Sequence, residues 1–245
     1  MALELWTAPT PNGWKISIML EELREAGVDL GEVQVHTVNL KRGEQFSTVF
    51  GAINPNHKIP ALRHDGLRVF ESCAILQYLG ETFPSPLLPR GRARWEVLSW
   101  LTWQGANLGP VFGNKLSYTR YLIDLSDEAK AHPLERFGTE ALRLVDVLHE
   151  QLAEGPYLCG REFTVADIAA YPWVRGYKWS KIDITRSDRV VAWVERVRAR
   201  PAVGRGLAYG VPADEVDRWS LARRDQYARN GAQIAAPEHR SRTRE

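Results

Sequence analysis

Cysteine is scarce in this chain of 245 residues: Cys73 and Cys159 stand far apart, with no CxxC pair and no metal-ligand spacing. The six histidines form no HxxxH or HExxH pattern, so no metal is expected. No apolar run is long enough to span a bilayer, and no charged-then-apolar leader opens the chain. A membrane partner is therefore excluded from the reading, and the protein is expected in the cytoplasm. Charge of one sign is also lacking. Lys and Arg total 32 against 30 Asp and Glu, a net charge of +2 with pI near 8.5, and much of the excess falls in arginines after Arg218. That balance gives no footprint for nucleic acid. There is no internal repeat.

The composition that remains, 44% hydrophobic and 25% charged, is that of a globular chain with room for one large domain or two ordinary ones. Tryptophan is abundant, with nine residues. Trp95, Trp100, Trp103, Trp173 and Trp193 lie in helical patterns and read as core or interface rather than chemistry.

Residues 2–6 alternate as a first strand, and Ala8-Pro9-Thr10-Pro11-Asn12-Gly13 is a loop by its prolines and glycine. A helix is expected from Trp14 to Ala26, stopped by Gly27, and a second strand over 33–38. Residues 40–53 read as irregular. Two short strands, 61–64 and 67–70, flank Asp65-Gly66, a strong hairpin signal, and a helix from Ser72 to about Phe83 follows. Pro84, Pro86 and Pro89 mark a linker over 84–90. Beyond it the signal is all helical, with apolar residues at three and four spacing over 92–105, 127–153, 165–179 and 190–198. Thr164-Val165-Ala166-Asp167 fits a capping box with Asp for Glu. One more helix is predicted over 211–229 and a disordered tail over 230–245.

The rest of the chain is organised around Asn54-Pro55-Asn56-His57-Lys58-Ile59-Pro60 and, ten residues on, Phe70-Glu71-Ser72. A proline cannot donate to a ladder from inside a strand, so Pro60 is a device; a cis bond there would turn the Ile59 backbone outward toward an extended ligand. Ser72 reads as the N-cap of the next helix, whose free amides and dipole suit an anion, with the Glu71 carboxylate beside it. Together they suit a ligand head carrying both an ammonium and a carboxylate. The plainer alternative is that Ser72 only caps and Glu71 only complements the dipole.

In this conjunction the chain resembles the cytosolic glutathione transferases, over nearly its whole length to about Gly210. Within that superfamily Ala8 to Gly13, Gly43-Glu44-Gln45-Phe46, Asn54 to Pro60 and Trp103-Gln104 are similar to the nu class, the disulfide-bond oxidoreductase type. The resemblance implies an α/β plus all-α fold: a thioredoxin-like glutathione-binding domain over 1–83 and an all-helical bundle domain over 91–210. It implies catalytic Thr10 and Asn12 donating to the glutathione sulfur. Gln45 would hold the glycyl end, Ile59 would pair with the cysteinyl unit near Lys58, Glu71 and Ser72 would take the γ-glutamyl head, and Arg136 would reach in from the helical half. It also implies one or two glutathione molecules or glutathione disulfide per site, a small disulfide or electrophile as second substrate, and a homodimer.

The Tyr, Ser or Cys that many transferases carry near the first strand is replaced here by Trp6, Thr7, Thr10 and Asn12. Thiolate formation would then come from hydrogen bonds and a helix dipole starting at Gly13. Three activities follow as expectations: thiol–disulfide exchange with weak transferase or peroxidase activity, conventional conjugation in an apolar pocket lined by Trp14, Phe112 and Tyr118, or binding without turnover. Cys73, just inside a helix N-terminus that would lower its pKa, and Cys159 are expected to be dispensable.

Overall fold

The computed structural model describes residues 2–210; the helix expected over 211–229 and the tail over 230–245 lie outside the described residues. Strand β1 (Ala2–Thr7) pairs in parallel with β2 (Glu32–Thr37) and antiparallel with β3 (Ala61–His64), which pairs with β4 (Leu67–Phe70), giving the order β2-β1-β3-β4. The pleat sends Leu3, Leu5 and Thr7 to one face, where all three are buried. Asp65 and Gly66 both take positive φ, 47° and 86°, the backbone that a two-residue hairpin turn requires. The stretch expected to be irregular holds two 3₁₀ turns, Leu40–Arg42 and Glu44–Phe46, and a short helix α2 (Thr48–Gly51).

Helix α1 (Pro11–Glu25) begins earlier than its apolar pattern, because Thr10 caps it and Pro11, with no N–H to lose, occupies its first turn. It is buried from Gly13 to Leu23, lying between the sheet half and the helical half. Its polar residues therefore need partners. Ser17 donates to the Gly206 carbonyl at 2.7 Å, Arg200 grips the Glu22 carboxylate at 2.6 and 2.5 Å, and Arg205 meets Glu21 at 2.8 Å. The partners come from the region of α10 (Pro201–Leu207), a helix the sequence reading did not anticipate. Gly206 is obligatory here: a Cβ would stand 2.6 Å from the Ile18 Cα.

Helix α3 (Ser72–Thr82) closes the sheet half. Helix α4 (Arg92–Trp103) does not stop at Gly105. It runs through a π turn at Gln104–Leu108 into α5 (Gly109–Leu116) and a second π turn at Ser117–Tyr121. Gly109 and Gly113 admit Trp173, whose ring lies 3.2 Å from where a Gly113 Cβ would be. Helix α6 (Asp127–Gln151) follows. Helix α7 (Val165–Val174) ends before Trp179, a separate turn α8 (Tyr177–Ser180) comes next, and α9 (Asp188–Arg198) precedes α10.

The capping box forms as read. Buried Asp167 accepts from the Thr164 and Leu158 amides at 3.1 and 3.0 Å and from the Trp193 indole at 2.8 Å. One apolar cluster runs from Leu3 through α3 and α7 to Leu207, so the halves share a core. A second, small cluster of Val38, Phe50, Ile53 and Ala61 packs under Ile59.

Candidate functional site

The turn between β1 and α1 is held from within. The Gly13 amide donates to the Thr10 hydroxyl at 3.3 Å, and the Trp14 amide donates to the Thr10 carbonyl at 2.9 Å. A Cβ at Gly13 would lie 2.1 Å from the Ala8 carbonyl oxygen, so no other residue fits beneath the loop. Thr10, not Asn12, is thus the helix cap, and its own hydroxyl hydrogen stays available. Half-buried Asn12 accepts from the Trp173 indole N–H at 3.0 Å through Oδ1. An indole only donates, so the amide atom facing it must be the oxygen, and the Asn12 NH₂ is turned away as a donor at the positive end of α1. Trp173 had no signal beyond being one aromatic of a helical stripe.

Glu71 takes a strained backbone, φ 68° and ψ 119°, of the kind proteins tolerate at sites that need it. This corrects the sequence reading in one respect: Glu71 is the N-cap of α3 and Ser72 its first residue, with no side-chain cap bond from either. The Ser72 hydroxyl is engaged elsewhere, accepting from the buried Lys15 ammonium at 3.1 Å. Lys15 also donates to Gln104 Oε1 at 2.7 Å, from the π turn of the helical half. Burial holds the Lys15 pKa down to about 8 against the pull of Cys73 and Glu71. The Glu71 carboxylate, exposed, accepts from the Asn56 amide at 3.2 Å. Lys15 was missed in the sequence; the available signal was a lysine set between the apolar residues Trp14 and Ile16 of α1.

The Ile59-Pro60 bond is cis, and pairing with β1 begins only at Ala61, so the Ile59 amide and carbonyl lie outside the ladder. Asn54 donates to the Lys58 carbonyl at 2.5 Å and pins the loop, leaving the Lys58 side chain exposed. Gln45 is 1% exposed, and both its amide atoms are buried without a partner, which is costly unless a ligand completes them. Its backbone carbonyl and His57 Nδ1 are 2.8 Å apart. Arg136 is exposed on α6, where its charge bears on Glu140. No contact ties Arg136 to the other site residues.

Of the three residues expected to line an apolar pocket, Phe112 is core, with 0% exposure. Trp14 is buried under the Arg175 guanidinium, 5.3 Å from its ring centre, and only Tyr118, stacked on Phe137, is partly open. The Cys73 thiol is pushed up by burial, which outweighs Lys15, so the helix N-terminus does not lower its pKa as expected. Burial pushes Cys159 up to about 12. Neither is a thiolate at neutral pH. Among the described residues no group of three or more His, Cys, Asp or Glu could hold a metal ion.

A thioredoxin-like sheet half with an open backbone edge at Ile59, closed by a helical half whose Gln104 and Trp173 reach into the site, defines the class. Residues 1–81 match the N-terminal domain model of glutathione S-transferase, and residues 111–201 match its C-terminal domain model. The chain belongs to the glutathione S-transferase family. It is 38% identical to the disulfide-bond oxidoreductase YfcG of Escherichia coli, over 87% of this chain and 98% of that protein. It is 41% identical to the disulfide-bond oxidoreductase YghU of the same organism, over 83% and 73%. Among solved structures it is similar to a Pseudomonas putida glutathione transferase with one glutathione disulfide bound per subunit, at TM-score 0.77 and 32% identity over 85% of this chain and 91% of that one. A Burkholderia graminis glutathione transferase with two glutathione molecules bound per subunit matches at TM-score 0.75 and 34% identity, over 85% and 88%.

Proposed function

We propose that this protein catalyses glutathione-dependent thiol–disulfide exchange on small disulfides, with both reacting thiols supplied by glutathione. The observation that carries the reading is the Asn12 amide, locked by Trp173 with its NH₂ presented at the start of α1, in a protein whose own two thiols are held protonated by burial. Thr10 and Asn12 donate to the glutathione sulfur and lower its pKa, since hydrogen bonds to the charged form favour it. The bound thiolate attacks one sulfur of the substrate disulfide, forming a mixed disulfide as the S–S bond breaks; the departing thiolate takes a proton from water. A second glutathione thiolate then attacks the glutathione sulfur of the mixed disulfide, giving glutathione disulfide and releasing the other substrate thiol.

Glu71 and Ser72 take the γ-glutamyl head, Ile59 pairs with the cysteinyl backbone near Lys58, and the unpartnered Gln45 amide receives the glycyl end. Arg136 is proposed as a late contact from the helical half. The relatives that hold two glutathiones or the disulfide, and those named disulfide-bond oxidoreductases, support this over conjugation. We further propose a cytoplasmic homodimer contacting through α4, where Trp95 is 69% exposed. No described helix is long and apolar enough to cross a membrane. Calorimetric titration tests the reading: two equivalents of glutathione, or tight binding of glutathione disulfide, are expected together with reduction of a small disulfide. One equivalent with turnover of a chlorinated aromatic would replace it with conjugation.

A further inference from the structure

Buried charges in this fold find partners of opposite sign or a full set of donors. Glu21 meets Arg24 and Arg205, Glu22 meets Arg200, and Asp167 accepts four hydrogen bonds. Lys15 is different. It is 2% exposed, and its ammonium, with three hydrogens to give, has two neutral acceptors, Ser72 Oγ at 3.1 Å and Gln104 Oε1 at 2.7 Å. No carboxylate of the described residues stands within ion-pair distance of it. An unpaired buried cation is a liability that an apolar side chain of similar length would remove.

We propose that Lys15 is the buried countercharge for the α-carboxylate of the γ-glutamyl head, acting as a positioning residue through the Ser72 hydroxyl. This rests on the glutathione reading above. Because Lys15 donates to Ser72 Oγ, the Ser72 O–H cannot be spent on the lysine and can be given to an acceptor. The start of α3 offers its free amides on the same side. A carboxylate docked there meets a hydroxyl, helix amides and a cation behind them, and supplies the charge that Lys15 lacks. Gln104 fixes the lysine from the opposite domain, so closure of the helical half onto α1 and assembly of the head site are one event.

The titratable groups around Lys15 are Glu71 and Cys73, both at the start of α3, and burial keeps the Cys73 thiol neutral. Calorimetry with S-methylglutathione, which has no ionising thiol, and with its analogue lacking the γ-glutamyl α-carboxylate tests the assignment. Wild type should prefer the parent ligand by tenfold or more. Lys15→Met should shrink that preference to about threefold or less, mostly by weakening the parent, with no fall in melting temperature. A variant that loses both ligands equally, or keeps the full preference, overturns the assignment in favour of a purely structural lysine. If Lys15→Met does not fold, wild type labelled with ¹³C at lysine Cε decides: the resonance titrating near pH 8 should move to higher pH with S-methylglutathione and stay with the analogue. An unmoved midpoint with the parent ligand overturns the assignment. Wild type binding both ligands equally sinks the countercharge alone, whereas failure to bind S-methylglutathione at all sinks the glutathione reading and the assignment with it.

Discussion

The indole N–H of Trp173, near the end of α7, donates to the side-chain carbonyl of Asn12 at 3.0 Å, joining residues 161 positions apart. That bond decides which end of the amide faces the ligand. Trp173→Phe keeps most of the packing against Gly109 and Gly113 but frees Asn12 to rotate. Turnover is expected to fall roughly five- to thirtyfold, the effect of weakening one hydrogen bond to a charged group by about 1–2 kcal/mol, while the dissociation constant for S-methylglutathione changes little. Equal losses in both would assign Trp173 to packing.

Asn12 itself gives the sharper test. Asn12→Ala should raise the pKa of bound glutathione by about one to two units, since a hydrogen bond to a charged group is worth roughly 1.5–3 kcal/mol and about 1.4 kcal/mol is one unit. Thiolate absorbance against pH reads this directly. Asn12→Ser keeps a donor and should retain more activity than Asn12→Asp, which has none at neutral pH and sets a carboxylate against the thiolate. Full activity in Asn12→Asp would make the donor role wrong. Thr10→Ala should act in the same direction, with the double change falling short of the sum because both hydrogens meet one sulfur.

Replacing Cys73 and Cys159 together by Ser should leave disulfide reductase activity within a few-fold. Both thiols are held protonated by burial, and Cys73 Sγ already faces the Leu101 carbonyl and Gln104 Oε1, each at 3.6 Å. Near-complete loss, traced to Cys73 alone, would make it a nucleophile.

Asp167 predicts a pH dependence of stability. Burial, outweighing its hydrogen bonds, raises its pKa from 3.8 to about 6. Between these values the folded state binds more protons than the unfolded one, so this group's contribution falls as pH rises from 4 to 6, by roughly 1–3 kcal/mol. Urea unfolding at several pH values should show that slope in wild type and not in Asp167→Asn. The variant should also be less stable at pH 7 by about 2 kcal/mol or more, because one amide oxygen cannot serve the Leu158 and Thr164 amides and the Trp193 indole together.

Trp95→Glu on α4 should shift sedimentation toward monomer if α4 carries the subunit contact, with the melting temperature of the monomer little changed because Trp95 is exposed within one chain. An unchanged sedimentation coefficient in wild type at monomer mass would remove the dimer.

The parts of this fold that could be read from sequence are those set by local rules. Asp65-Gly66 formed its turn, Thr164 to Asp167 formed its box, and the alternation of residues 2–6 became β1. What escaped depends on distant partners. The helical run continued past Gly105, where Cys73 Sγ packs, and on past Gly109 and Gly113, where Trp173 packs, and Phe112 became core with no local sign of what packs on it. In the site, Thr10, Asn12, Glu71 and Ser72 stood out as short motifs at helix starts. Trp173 and Lys15 did not, since an indole and an ammonium inside helical stripes show their purpose only once the facing residue is known.

The seating of α10 on α1 sets an order of events during synthesis. Ser17 finds its acceptor at Gly206, and Glu21 and Glu22 find their cations at Arg205 and Arg200, all more than 170 positions downstream. A nascent sheet half leaving the ribosome therefore carries a helix with the Glu22 carboxylate unneutralised, Glu21 offset only by Arg24 of the same helix, and an open apolar flank until nearly the whole described chain has emerged. Chains cut short of Arg200 should be captured by holdase chaperones rather than accumulate as a free thioredoxin-like module.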